Sequence, residues 1–177
     1  LLGLTPEDIS YVLMTHMHHD HSGGLTKLNE NHQLVSTFPN AKIFVNDIEW
    51  YEMMNPNNRT KGTYLRENWE PIQHQVETFT EYLNVIPEIQ MVHTGGHSND
   101  HSIILLKQGN ETMIHMADLL LTHAHRKPVW VAAVDDYPMR SIIAKEKWLK
   151  EAFENHYKFF FYHDQFFTVV EFDNEGK

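Results

Sequence analysis

The sequence contains no cysteine among its 177 residues. A disulfide framework and a thiolate metal site are therefore excluded, and a bound metal must take imidazole and carboxylate ligands. The absence of cysteine also fits a reducing compartment, so we expect a cytoplasmic protein.

Basic residues are scarce, because 14 Lys and Arg stand against 24 Asp and Glu and the formal net charge is −10. This charge repels nucleic acid and anionic membrane surfaces, and no Lys/Arg cluster offsets it locally. The sequence also has no run of 18 apolar residues of the kind that spans a bilayer. We expect neither a nucleic acid nor a membrane as a partner.

The chain has the length of one domain, and its 41% hydrophobic content is enough for a sizeable core. It contains no internal repeat and no linker-like stretch, so we predict a single domain over residues 1–177. Because the chain starts with Leu1 just before a capped helical turn at residues 5–8, we expect this domain to be N-terminally incomplete.

Alternating apolar runs and amphipathic stretches predict an α/β domain. We predict helices at 47–54 and 138–155, with Asn46 capping the first, and a helical region at 64–82 that Pro71 interrupts. Strands are predicted at 11–14, 41–45, 89–93, 102–106, 112–117, 159–162 and 167–172.

Four ligand-type residues, His16, His18, Asp20 and His21, fall within six positions directly after the apolar strand 11–14. Residues two apart in an extended segment project to the same side, so His16 and His18 can reach one ion. Asp20 and His21 lie where the chain turns and can hold a second ion, about 3.5–4 Å from the first. His19 is expected to face solvent or a substrate entrance and not to bind metal.

This motif resembles the H-x-H-x-D-H signature of the metallo-β-lactamase superfamily, which implies a four-layer αββα sandwich. Residues 94–101 resemble the T-P-G-H-T-x-G-H loop of that family, which implies that His97 joins His16 and His18 at the first metal. The resemblance implies a bridging role for Asp118, and it assigns His163 to the second metal beside Asp20 and His21. His101 is either a residue that orients a ligand from behind or an ordinary turn histidine.

The resemblance therefore implies two divalent metal ions. Zinc is the expected metal, and manganese, iron and cobalt are alternatives, because sites of imidazole and carboxylate ligands accept all four.

Further segments across nearly the whole chain resemble the YtnP-type quorum-quenching lactonases. They lie at residues 13–18, 38–41, 48–50, 67–70, 93–98, 116–118, 122–125, 135–138 and 161–164. This resemblance implies hydrolysis of N-acyl-homoserine lactones, the small signals of bacterial quorum sensing. A hydroxide bridging the two ions would attack the lactone carbonyl, and Asp20 or Asp118 would carry the proton.

The sequence departs from the best-known lactonases at Leu121, where they carry a tyrosine that contacts the substrate carbonyl. His123, His125 and Tyr137 are candidates for this contact, and the alternative for each is an ordinary surface or turn residue. Aromatic and methionine side chains in the region 50–69 could wall an acyl-chain pocket, but their helical spacing favours a core or a subunit interface. They are Trp50, Tyr51, Met53, Met54, Tyr64 and Trp69.

Two other functions remain open at this point. One is a phosphotriesterase, because a hydroxide between two metals attacks phosphorus as well as carbon. The other is a metal-binding module that has lost turnover. A glutathione thioesterase and a nuclease are disfavoured by the lack of basic clusters. The sequence is compatible with a homodimer but does not determine the oligomeric state.

Overall fold

The structure is a computed structural model that describes residues 2–173 and residue 176. The chain divides into two compact units, Leu1–Thr80 and Glu81–Lys177. The single domain expected over residues 1–177 stays a prediction. Among the described residues, no helix has both the length and the apolar character needed to cross a bilayer.

From residue 2 onward, the first unit forms five strands, three short α-helices and four 3₁₀ turns. The strands are β1 (Tyr11–Leu13), β2 (Thr26–Leu28), β3 (Leu34–Ser36), β4 (Lys42–Asn46) and β5 (Val76–Phe79). The helices are α1 (His19–Ser22), α2 (Asp47–Met54) and α3 (Arg66–Trp69), and the 3₁₀ turns are Pro6–Asp8, Gly23–Leu25, Thr60–Gly62 and Glu70–Gln75. Strands β1, β4 and β5 form a parallel sheet in that order, and β2 pairs with β3 in a separate antiparallel hairpin.

Strand β4 is the centre of the parallel sheet. Ile43 and Val45 on one face are fully buried, and Phe44 on the other face is buried too, so the strand is covered on both faces. Asn46 ends the strand and caps α2, because its side-chain oxygen accepts hydrogen bonds from Ile48 N at 2.9 Å and Glu49 N at 3.5 Å. The predicted cap and helix are confirmed.

The aromatic and methionine residues of the region 50–69 contribute mainly to the core of this unit. Met53 and Tyr64 are buried, and Trp50 and Trp69 pack against the same cluster. The core interpretation is therefore confirmed for these four residues. Tyr51 and Met54 are exposed.

The helical prediction for residues 64–82 is wrong beyond Gln75. Residues Val76–Phe79 form β5, which pairs in parallel with β4. The hairpin of β2 and β3 was not predicted either. In both cases the strand forms through pairing with a distant segment, and such pairing overrides local preference.

The described part of the second unit forms six strands and one long helix. The strands are β6 (Tyr82–Ile86), β7 (Ile89–His93), β8 (Ser102–Gln108), β9 (Glu111–His115), β10 (Lys158–Phe160) and β11 (Val169–Glu171). The helix is α4 (Pro138–Glu154), and two 3₁₀ turns lie at Ala117–Leu120 and His123–His125. The strands form one sheet in the order β11-β10-β9-β8-β7-β6, in which only the pair β9 and β10 is parallel.

Helix α4 connects the parallel strands β9 and β10 and buries Trp148 and Leu149 in a core with Ile103, Ile114 and Phe159. The carboxyl ends of parallel neighbours meet at one edge of a sheet. Because β8 runs antiparallel to β9, the start of β8 lies at that same edge. The topology therefore places the loop before β8 and the segments after β9 and β10 at one edge.

Candidate metal centre

The four residues of the N-terminal motif lie together in the first unit. His16 and His18 follow β1 and are 0% and 7% exposed, and Asp20 and His21 lie on α1. The ring of His16 has its centroid 4.6 Å from that of His18 and 4.2 Å from that of His21. Asp20 Oδ2 lies 3.5 Å from His21 Nε2. His19 is exposed, as expected.

A buried carboxyl group that the sequence did not single out holds this motif. Glu49 on α2 is 0% exposed and accepts hydrogen bonds from Met17 N at 2.8 Å and from the Tyr64 hydroxyl at 3.1 Å. The Ser22 hydroxyl donates to the carbonyls of Met17 and His18 at 3.1 and 3.0 Å. These bonds fix the backbone on both sides of His18, which limits where its imidazole can point.

The three ligands expected from the rest of the chain lie together in the second unit. Asp118 stands between two imidazoles, with Oδ2 at 3.3 Å from His97 Nε2 and Oδ1 at 3.3 Å from His163 Nε2. Asp118 is 6% exposed and lies in the 3₁₀ turn after β9. The strand predicted at 112–117 ends two residues early, because Ala117 turns to a φ of 44°.

The spacing around Asp118 fits metal ligands. With bonds of about 2.0–2.1 Å and a tetrahedral angle, two ligand atoms of one zinc ion lie about 3.3–3.4 Å apart. A direct charge-assisted hydrogen bond would bring nitrogen and oxygen to about 2.7–2.9 Å instead. Each oxygen of Asp118 thus has the ligand spacing to a different histidine, as in a carboxylate shared by two ions.

The loop that carries His97 is closed at its base. Thr94 N donates to His101 O at 2.8 Å, and the Thr94 hydroxyl lies 3.1 Å from His101 Nδ1. His101 is 0% exposed, with its ring centroid 6.0 Å from that of His97. His101 therefore packs beneath the loop and is not a turn residue facing solvent.

Asp135 is a second buried carboxyl group that the sequence did not assign to the site. Its Oδ1 lies 3.0 Å from His97 Nδ1, and both side chains are 2% exposed. The bond joins residues 38 positions apart, so no short-range pattern could have indicated it.

His123, one of the expected substrate contacts, is fixed by Asp164. Asp164 Oδ2 accepts from His123 N at 2.8 Å and lies 2.6 Å from His123 Nδ1. Burial alone would raise the pKa of Asp164, but hydrogen bonds from His123 and from the backbone of Phe166 and Phe167 hold it well below its usual range. The His123 side chain remains 31% exposed.

The other two candidates occupy different local settings. His125 Nδ1 lies 2.8 Å from the Thr122 hydroxyl, and burial, with the nearby charge of Lys145, lowers the pKa of its imidazole. Tyr137 immediately precedes α4, and the Arg140 guanidinium lies 5.3 Å from the centre of its ring. Substrate contact by His123, His125 and Tyr137 stays a prediction.

Comparison with known proteins places the chain in a family. A sequence profile described as the Metallo-beta-lactamase superfamily matches residues 1–154. A crystal structure of a probable metal-dependent hydrolase from Staphylococcus aureus is 40% identical with a TM-score of 0.93, over 99% of this chain and 62% of that one. The predicted fold class is therefore confirmed.

Two further relatives are named as lactonases. AidC, a dizinc quorum-quenching lactonase solved with the product N-hexnoyl-L-homoserine, is 20% identical with a TM-score of 0.82, over 97% of this chain and 63% of that one. An N-acyl homoserine lactonase of a Bacillus species is 28% identical over 107 residues, 60% of this chain and 36% of that protein. The chain thus spans about a third of this curated relative.

Proposed function

Because this chain belongs to the metallo-β-lactamase superfamily, we propose that its two clusters of histidine and aspartate together hold two divalent metal ions and hydrolyse N-acyl-homoserine lactones. In this proposal His16, His18 and His97 bind the first ion. Asp20, His21 and His163 bind the second, and Asp118 is shared. Zinc is the expected metal for these donors.

The position of Asp118 carries the proposal. Its two oxygens lie at the same 3.3 Å from two different imidazoles. Asp135 Oδ1 lies 3.0 Å from His97 Nδ1, and a proton on Nδ1 in this bond would leave the lone pair of Nε2 on the side of Asp118. A carboxylate oxygen that faces such a lone pair would be stabilised by a cation between the two groups.

Two divalent cations in such a site supply an activated water and polarise the carbonyl of an ester. Carboxylates of the chain itself would then transfer the proton. Asp118 is buried and suited to hold position, whereas the Asp20 side chain is 41% exposed and can pass a proton to solvent. Asp20 is therefore the better candidate for proton transfer.

The names of the relatives support a lactone substrate, and the closer likeness to YtnP-type lactonases stays a prediction. Leu121 has no hydrogen-bond donor for the substrate carbonyl. Of the three expected contacts, His123 is the best placed, because Asp164 fixes its ring while part of the side chain stays accessible.

The test combines metal analysis with parallel assays on N-acyl-homoserine lactones and on paraoxon-like phosphotriesters. We expect two metal ions per chain and a preference for lactones, with both metal and activity reduced in His18→Ala and Asp118→Asn. The matched control is His74→Ala, which removes an exposed histidine of the first unit. Activity on triesters alone would identify a phosphotriesterase, and metal binding without activity on either substrate would identify a binding module.

A further inference from the structure

The segment that leads into α4 is hydrogen-bonded to the loop that carries His97. Asp136 N donates to His97 O and Tyr137 N to Gly96 O, both at 2.9 Å. One turn further, Arg140 Nη1 donates to Asn99 Oδ1 at 2.7 Å. Three successive contacts thus fix the loop backbone against the start of the helix.

The loop and the helix are also in close contact. Gly96 has a φ of +113°, and a Cβ built there would lie 2.6 Å from Ser141 Oγ and 2.7 Å from Ser141 N. Only glycine accepts both that backbone angle and that approach. These contacts therefore fix the position of the loop. They leave open the rotation and the tautomer of the His97 ring.

Asp135 contacts the ring of His97, which the backbone hydrogen bonds do not fix. Its carboxyl group lies 3.0 Å from His97 Nδ1 in surroundings from which water is almost excluded. Lys145 on α4 is 1% exposed and donates to the carbonyls of His125 and Trp130 at 2.7 and 2.6 Å. Its positive charge interacts favourably with Asp135.

We infer that Asp135 is a positioning residue of the metal centre, which keeps the His97 proton on Nδ1 and turns the Nε2 lone pair towards Asp118. The inference rests on the metal centre proposed above. A carboxylate behind a ligating imidazole fixes its tautomer and raises its basicity, and loss of such a partner typically weakens metal binding about 10–100-fold.

The test uses Asp135→Asn and Asp135→Ala. Asparagine keeps an oxygen that can accept from His97 but removes the charge, whereas alanine removes both. Glu146→Gln is the matched control, because it removes a negative charge from the exposed surface of α4, the helix that follows the segment of Asp135. Circular dichroism of all variants identifies any that fail to fold. If Asp135→Ala does not fold, Asp135→Asn is the decisive variant.

The first readout is the ¹⁵N NMR spectrum of the His97 imidazole in metal-free protein, at a pH above the ordinary pKa of histidine. We expect the proton on Nδ1 in the parent and in the Glu146 variant, and a mixture of tautomers in Asp135→Ala. A parent ring with its proton on Nε2 overturns the inference.

The second readout is zinc affinity by competition with a chromophoric chelator. We expect one of the two ions to bind about 10–100-fold more weakly in Asp135→Ala and less severely so in Asp135→Asn. Unchanged affinity for both ions in both variants overturns the inference. A parent that shows the Nδ1 tautomer but binds no zinc supports the control of the His97 tautomer by Asp135 and refutes the metal centre, whereas a parent that binds two zinc ions with the proton on Nε2 refutes the role of Asp135 alone.

Discussion

Replacing Glu49 with alanine should destabilise the protein through the loop that carries His16 and His18. Glu49 is fully buried and accepts hydrogen bonds from Met17 N and from the Tyr64 hydroxyl. Met17 stands between the two histidines in sequence, so its backbone N–H is part of the ligand-bearing segment. Alanine would leave both donors without this acceptor.

The magnitude follows from the two donors. Each buried donor that loses its acceptor costs about 1–3 kcal/mol, so we expect Glu49→Ala, which removes the acceptor of two bonds, to lower the free energy of unfolding by about 2–6 kcal/mol. Glu49→Gln should cost less, because its amide oxygen still accepts one bond. If the proposed centre binds zinc, added zinc should stabilise the folded state by mass action. This gain in stability should be smaller in both variants, because the loop that carries His16 and His18 is no longer held by Glu49.

Urea unfolding followed by circular dichroism, with and without zinc, measures both effects. Glu30→Ala is the control, since Glu30 is an exposed carboxylate in the turn between β2 and β3. If Glu49→Ala and Glu30→Ala unfold at the same urea concentration, the assigned role of Glu49 is wrong.

Three further predictions concern stability. Asn46→Ala removes the cap of α2 and should cost about 0.5–2 kcal/mol in urea unfolding. Gly96→Ala should lower the melting temperature more than Gly109→Ala, because both have positive φ but only Gly96 is pressed against Ser141; equal effects would contradict the close packing. Burial lowers the pKa of Lys145 from 10.5 to about 8, so between these values the unfolded chain binds more protons than the folded one. The free energy of unfolding should therefore rise with pH across this window, and it should rise less in Lys145→Met. Identical pH profiles for the two proteins would contradict the lowered pKa of Lys145.

Candidate ligands can be recognised in a sequence where polar residues follow an apolar strand, because such residues lie at an edge of the sheet. His16 and His18 after β1 show this most simply, since their two-residue spacing also places both imidazoles on one side. The resemblance to a known family was needed for His97, Asp118 and His163, because a single residue after a strand has no pattern of its own.

The supporting carboxylates could not be predicted in this way. Glu49 meets Met17 from 32 positions away, and Asp135 meets His97 from 38. These contacts depend on how helices pack against loops and not on local periodicity. Strand β5 was not predicted for a related reason, because its four residues adopt a strand conformation only through their pairing with β4.

X-ray absorption at the zinc edge of the loaded protein tests most directly whether two ions share Asp118. We expect nitrogen and oxygen ligands at about 2.0–2.2 Å and a second zinc at about 3.5–4 Å. The zinc–zinc signal should disappear in Asp118→Asn. A parent spectrum with isolated zinc ions, or a zinc–zinc signal that survives this substitution, would contradict the shared centre.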